Sequence, residues 1–250
     1  MPTADSQFEY FVKSISMPSN TRNSVTRIVS AINAAIQSSP LSVFRPKVYV
    51  FGSIASDLAT FDADLDLFIK LEAPTKDVET FDFETSMFAL EAIDRVLSEK
   101  LNMSSLDAGK RIIPARRCPL LKYDFSAVFA HLFSENSEIQ RCYSSASISV
   151  KSYHGVFSSK MIRFLTQCDP RFRKLTIILK HWAKRRELIK AGGIKSYGFT
   201  LLVIFFLQTR KPVVLPNIDR LKMVASSLQK ENNSEPLDFS EYFEVSFLFI

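Results

Sequence analysis

Asp64 and Asp66 are the residues of this sequence whose type and spacing lead most directly to chemistry. They lie in Asp62-Ala63-Asp64-Leu65-Asp66-Leu67-Phe68-Ile69, where Leu65, Leu67 and Ile69 mark a strand. The two-residue period of a strand then turns both carboxylates to one face, aimed at one spot. Like charges that close are costly unless a cation sits between them, and Mg2+ (or Mn2+), which takes hard oxygen ligands, is the usual solution. Eleven residues before Asp64, Gly52-Ser53 follows a second strand-like run, Val48-Tyr49-Val50-Phe51. A glycine lets backbone approach a phosphate closely, and a serine hydroxyl with exposed N–H groups can hold it. An Asp-x-Asp alone also occurs as solvated edge charge. Asp57 and Asp62 add acid that a packing strand does not need.

A second group lies far along the chain. Lys180 and Lys184 are one helical turn apart, among Arg171, Arg173, Lys174, Arg185 and Arg186, and the next helix opens with Lys195-Ser196-Tyr197. Two lysines at i, i+4 can clamp triphosphate oxygens, a hydroxyl can hold a phosphate, and a ring can stack on a base. Each has a plainer use: a solvated basic face for the lysines, a helix cap for Ser196, a core aromatic for Tyr197.

The elements that must position these groups are legible in outline. Val25, Ile28, Val29, Ile32 and Ile36 recur at helical spacing after a cap at Ser19-Asn20 and stop at Ser38-Ser39-Pro40. Glu72 to Glu84 reads as an acidic loop, and Met87, Leu90, Ile93, Leu97 and Leu101 as a second amphipathic helix. Arg116 to Tyr123 leads into a strand, Ser126 to Ser145 is an irregular serine-rich insertion, and Ala146 to Val150 alternates as the last strand of a sheet. Beyond Ser158 the chain is helical: Met161 to Gln167, Arg171 to Lys190 with a buried stripe of Phe172, Leu175, Ile178, Leu179 and Trp182, and Ser196 to Gln208 as a buried core helix.

The bounds agree with an α+β protein. Its 250 residues are 46% hydrophobic and carry a net charge of +6, enough apolar matter for a sizeable core and a charge that permits an anionic partner without requiring one. Cys118, Cys142 and Cys168 have no paired spacing, so neither a disulfide framework nor a zinc site is indicated and a reducing compartment fits. The longest apolar run, Phe199 to Leu207, is well short of the roughly 20 residues that span a bilayer, so no membrane partner is expected. Asp5 and Glu9 argue against a transit peptide within this chain.

Gly52-Ser53 with Asp64-Leu65-Asp66 resembles the signature of the DNA polymerase β-like nucleotidyltransferases. The likeness continues through Lys180-His181-Trp182-Ala183-Lys184-Arg185, Lys195-Ser196-Tyr197-Gly198, Leu202 to Gln208 and Pro212-Val213-Val214-Leu215-Pro216. These stretches resemble the terminal nucleotidyltransferases that add poly(A) or poly(U) to RNA 3′ ends. The mitochondrial branch is most similar in Ala115 to Leu120, Ser158-Ser159, Ile204 to Gln208 and Leu215-Pro216. The resemblance implies a mixed sheet with flanking helices over residues 41–155 and a helical central domain, incomplete here, over 156–250. It also implies that the helix within residues 1–40 packs with the later helices. Glu241-Tyr242-Phe243 resembles the start of the part that completes the cleft, with tens of residues expected beyond Ile250.

By position, the family's metal-binding aspartates fall on Asp64 and Asp66, its phosphate serines on Ser53 and Ser196, its triphosphate lysines on Lys180 and Lys184, and its base-stacking aromatic on Tyr197. Gly52 accompanies Ser53, and ATP or UTP is the implied substrate. Three positions depart: the third catalytic aspartate falls on Ser147, the ribose-contacting asparagine on Ser152, and a glycine on Asp57. Serine neither anchors a second ion well nor takes the proton of a 3′-hydroxyl; Asp124 is a candidate substitute. The implied function is metal-dependent addition of A or U to an RNA 3′ end, impaired at Ser147. The alternative is a non-catalytic nucleotide- or RNA-binding relative that partners an active polymerase in a homo- or heterodimer. A small-molecule nucleotidyltransferase shares the first motif but has no reason to match Lys180 to Pro216.

Overall fold

The computed structural model describes residues 3–18, 21–72, 82–101, 111–124, 143–151, 153–190 and 193–217. The elements in order are α1 (Ala4–Ile15), α2 (Thr21–Gln37), a 3-10 turn (Pro40–Phe44), β1 (Lys47–Phe51), α3 (Gly52–Ala55), β2 (Ala63–Lys70), α4 (Phe83–Lys100), β3 (Arg111–Ile113), β4 (Leu120–Asp124), β5 (Tyr143–Ser149), α5 (His154–Cys168), α6 (Pro170–Arg185) and α7 (Ser196–Thr209). The chain divides into two compact units, Met1–Ser159 and Lys160–Ile250, and the division falls inside α5. The expected cap at Ser19-Asn20, residues 73–81 of the acidic loop, 125–142 of the insertion, Ser152 and Glu241 to Phe243 lie outside the described residues.

The first unit is built on a five-stranded mixed sheet of order β1-β2-β5-β4-β3. β2 pairs antiparallel with β1 and parallel with β5, and β4 is antiparallel to both β5 and β3. One face is apolar. Leu65, Leu67 and Ile69 of β2, Leu121 and Tyr123 of β4, and Ala146 and Ile148 of β5 pack with Ile28, Ile32 and Ile36 of α2 and with Leu90, Ile93 and Leu97 of α4. Each leucine or isoleucine buried this way stabilises the unit by about 1.5–3 kcal/mol. The apolar stripe of α2 is thus used inside the sheet unit. Among these core groups the Tyr123 phenol donates to Asp94 Oδ1 at 2.7 Å. Burial first, and Asp94 second, push that phenol far above its ordinary range.

The opposite face is polar at one end and aromatic at the other. Tyr49 and Phe68, partners across β1 and β2, receive the Tyr153 ring at centroid distances of 5.4 and 5.7 Å. Gly155, in the first turn of α5, lies so close to Phe51 that a Cβ there would stand 2.8 Å from the ring. The start of α5 is therefore fastened to the end of β1, which fixes the turn that follows.

In the second unit α6 is started by Asp169, whose carboxylate accepts from the Arg171 backbone N–H at 2.8 Å, with Pro170 in the first turn. Its buried residues are Phe172, Thr176, Ile177, Lys180 and Ala183. The expected stripe is thereby corrected: Phe172 holds its place, Trp182 is 47% exposed, and the inward face is rotated toward 176, 180 and 183. The helix ends at Arg185 rather than Lys190. α7 is also corrected. Thr200, Val203, Ile204 and Leu207 are buried, whereas Leu202, Phe205 and Phe206 are exposed, so one side of this apolar helix faces outward. β3 was not foreseen, since three residues carry almost no periodicity.

Candidate active site

β2 carries the centre of the site. Leu65, Leu67 and Ile69 are fully buried on the core face, which leaves Asp64, exposed, and Asp66, half-buried, together on the other. The period of two thus delivers both carboxylates to one side.

Phe51 pairs with Asp66 across β1 and β2, so the turn after β1 begins directly beside that carboxylate. Gly52 takes the left-handed conformation at φ +74°, and a Cβ built there would stand 3.1 Å from Asp66 Cγ, nearer still to Oδ2. Only a residue without a side chain lets the backbone and the carboxylate come so close. The Gly52 N–H donates to Ser159 Oγ at 2.7 Å, and that hydroxyl donates to the Gly155 carbonyl at 2.6 Å. The Gly52 N–H is therefore engaged within the fold and is not one of the donors expected for phosphate. Ser53 follows, half-buried, with its carbonyl accepting from the Leu58 N–H at 2.9 Å. Asp57, the position where the resemblance implies a glycine, also sits in the left-handed region, at φ +61°.

β5 supplies the neighbouring strand. Ser147 is the direct parallel partner of Asp66, and on its other side pairs with Lys122 of β4. Direct partners share a face, so the row across the sheet reads Asp66, Ser147, Lys122. The position on which the resemblance places a third carboxylate thus holds a hydroxyl beside Asp66. The backbone of Asp124 pairs with Ser145, one row further along. Ser145 is buried and its hydroxyl donates to Asp64 Oδ1 at 2.8 Å. Asp62 is exposed and accepts from Thr60 Oγ1 at 2.6 Å.

In the second unit Lys180 is only 3% exposed and Lys184 half-buried. A solvated basic face does not describe Lys180. Ser196 is the first residue of α7, with Lys195 at the cap position and no side-chain cap bond, so the capping use of Ser196 falls away. Tyr197 is 48% exposed, which removes the core-aromatic alternative. Sequence reasoning gave no site role to Ser145, Ser159 or Lys122, although Ser158-Ser159 is among the stretches that resemble the mitochondrial branch. A lysine between the core residues Leu121 and Tyr123 was the available signal for Lys122; Ser145 carried none, its partner lying on a strand distant in sequence.

Among the described residues no group of three or more His, Cys, Asp or Glu side chains converges as a metal site. Mg2+ needs only one or two carboxylates when substrate phosphates complete its shell. Asp64 and Asp66 fit one such ion. A second ion that needs a third carboxylate is not provided for at Ser147.

A mixed sheet with adjacent Asp-x-Asp and Gly-Ser turns on one face is the architecture of polymerase β-like nucleotidyltransferases. The family model for the central palm domain of the mitochondrial-like poly(A) RNA polymerases matches residues 5–167, and the chain belongs to that family. It is 28% identical over 204 residues to the mitochondrial poly(A) RNA polymerase of Mus musculus, covering 75% of this chain and 32% of that protein. The fold is similar to the apo crystal structure of mtPAP, with a TM-score of 0.68 at 20% identity over 89% of this chain and 46% of that one. It is also similar to the Cid1 poly(U) polymerase bound to MgATP, with a TM-score of 0.64 at 18% identity over 85% of this chain and 58% of that one. The chain spans about a third of the length of the curated relative it matches. No helix among the described residues is long and apolar enough to cross a membrane.

Proposed function

We propose that this chain is an RNA 3′-terminal nucleotidyltransferase that takes A or U from ATP or UTP with Mg2+ (or Mn2+), its catalysis weakened because Ser147 stands where the third carboxylate belongs. The observation that carries this reading is the Asp64–Asp66 pair on one sheet face with Gly52 against Asp66. In the first unit Asp64 and Asp66 are the ion ligands and Gly52 and Ser53 the phosphate turn; in the second, Lys180, Lys184 and Ser196 take the triphosphate-binding role, and Tyr197 the base-stacking role, that the family resemblance implies for them. Three facts lend support: the burial of Lys180, the position of Ser196 in the first turn of α7, and the outward Tyr197 ring. The RNA 3′ end is the acceptor. A mitochondrial setting is supported by the name of the mouse relative.

A second reading has its own observation. With Ser147 beside Asp66, nucleotide and RNA are bound without turnover and the chain partners an active polymerase, as one half of a heterodimer or in a homodimer. One experiment separates them: the purified chain is incubated with a labelled oligoribonucleotide, Mg2+ or Mn2+, and each NTP in turn. Metal-dependent ATP or UTP binding with short tails supports the impaired enzyme, and binding with no tails supports the partner. Absence of nucleotide binding sinks both.

A further inference from the structure

We propose that Ser145 is a positioning residue: its hydroxyl holds the Asp64 carboxylate in the orientation that a divalent cation requires. This rests on the reading of Asp64 and Asp66 as cation ligands and adds a residue which that reading does not contain.

The geometry is specific in two independent ways. First, Ser145 is only 5% exposed, yet its Oγ lies 2.8 Å from Asp64 Oδ1, on a carboxylate whose residue is itself exposed. An exposed carboxylate otherwise rotates about its terminal torsion, which is broad for Asp. A donor planted in the sheet selects one rotation. Second, the register of β2 with β5 is irregular at this point. It steps from Ala63 with Tyr143 to Leu65 with Ala146, so β5 carries one more residue than β2 beside Asp64. Such bulges re-aim a side chain and interrupt pairing locally. Here the regular register runs from Phe68 with Ser149 back to Leu65 with Ala146, and the extra residue of β5 falls between Tyr143 and Ala146, the stretch that contains Ser145.

The chemistry follows from the crowding of charge. Asp64 and Asp66 are two carboxylates on one face of one strand, and the hydroxyl that donates to Asp64 fixes the orientation of that carboxylate. Outer-shell partners of this kind orient metal-ligating carboxylates, and their loss typically weakens metal affinity about 10–100-fold. In this chain, whose third carboxylate position is Ser147, a fixed Asp64 matters more, because fewer ligands remain to organise the ion.

The test reads metal binding rather than turnover. Mn2+ is titrated into the full chain and the free ion followed by electron paramagnetic resonance, for the wild type, Ser145→Ala, Ser145→Thr and Asp64→Asn, with a thermal melt of each. Ser145→Ala is expected to bind Mn2+ about tenfold or more weakly at an unchanged melting temperature, and Ser145→Thr, which keeps the hydroxyl, to recover most of that affinity. Wild-type affinity in Ser145→Ala together with loss in Asp64→Asn overturns the role of Ser145 and leaves the cation site standing. Wild-type affinity in Asp64→Asn overturns the site itself. If Ser145→Ala does not fold, Ser145→Cys decides: it keeps the volume and donates weakly, so reduced affinity supports the proposal and wild-type affinity overturns it.

Discussion

Asp66 of β2 and Ser147 of β5 are direct partners in parallel strands, so the hydroxyl of one and the carboxylate of the other emerge side by side from the same face of the sheet. A carboxylate at 147 would therefore stand next to Asp66 without any change of backbone. Ser147→Asp is expected to raise tail addition to an RNA primer at least tenfold over the wild type, since a second ion then has an anchor. Asp124→Ala is expected to leave activity unchanged. Primer-extension assays check both. Long tails from the wild type, lost in Asp64→Ala or Asp66→Ala, would show that position 147 needs no carboxylate.

Gly52→Ala tests the close approach of the turn to Asp66. The new methyl meets the Asp66 carboxylate, on a residue held at φ +74°. Two penalties act together, a left-handed alanine of about 1–2 kcal/mol and displacement of a ligand. The expected outcome is a lower melting temperature together with loss of Mg2+-dependent nucleotide binding, measured by calorimetry. Full retention of binding would mean that Asp66 can move away without consequence.

Asp57 offers the opposite test. Its backbone sits at φ +61°, a conformation in which glycine has no Cβ penalty. Asp57→Gly should stabilise the first unit by roughly 0.5–1 kcal/mol, because relief of that penalty outweighs the greater freedom of the unfolded chain. Denaturant unfolding reads the change, and a loss of stability would show that the Asp57 side chain contributes more than its backbone angle costs.

Lys180 is nearly enclosed within α6. Lys180→Glu should weaken ATP and UTP binding by at least tenfold, since a phosphate contact becomes a repulsion. The melting temperature separates this from general damage, and Lys180→Met is the paired control that keeps the length and removes the charge. Unaltered nucleotide affinity in a folded Lys180→Glu chain would make the lysine structural.

Asp82 gives a pH dependence. Its carboxylate accepts from the Thr85 N–H at 2.7 Å at the start of α4, and hydrogen bonds from Thr85, the side chain first and then the backbone, hold its pKa below the ordinary value. The folded pKa is depressed, so this contribution is complete above the unfolded value near 3.9 and disappears as the pH falls through the folded pKa. Asp82→Ser keeps a cap that does not titrate. The difference in unfolding midpoint between wild type and variant should therefore shift in favour of the variant as the pH is lowered from about 5 to 3, and a pH-independent difference would refute the assignment.

What the sequence determined by itself was whatever depends on spacing along one element. The alternation of β2 put Asp64 and Asp66 on one face because a strand has a period of two wherever it is placed. The motifs around Gly52, Lys180 and Ser196 carried the family. Contacts between distant segments were decided by the tertiary structure alone. Ser159 reaches Gly52 across 107 positions, and Ser145 reaches Asp64 across 81; a serine in isolation carries no sign of either. The helix faces were decided there too. Between Phe172 and Ala183 apolar and long amphipathic side chains occur on several sides of α6, so which side turns inward depends on what packs against it, and Lys180 is buried while Trp182 is exposed. The uniform apolar run of α7 has no polar face to set its orientation. Periodicity ranks the faces of a helix only when polar residues mark the others, and there packing made the choice.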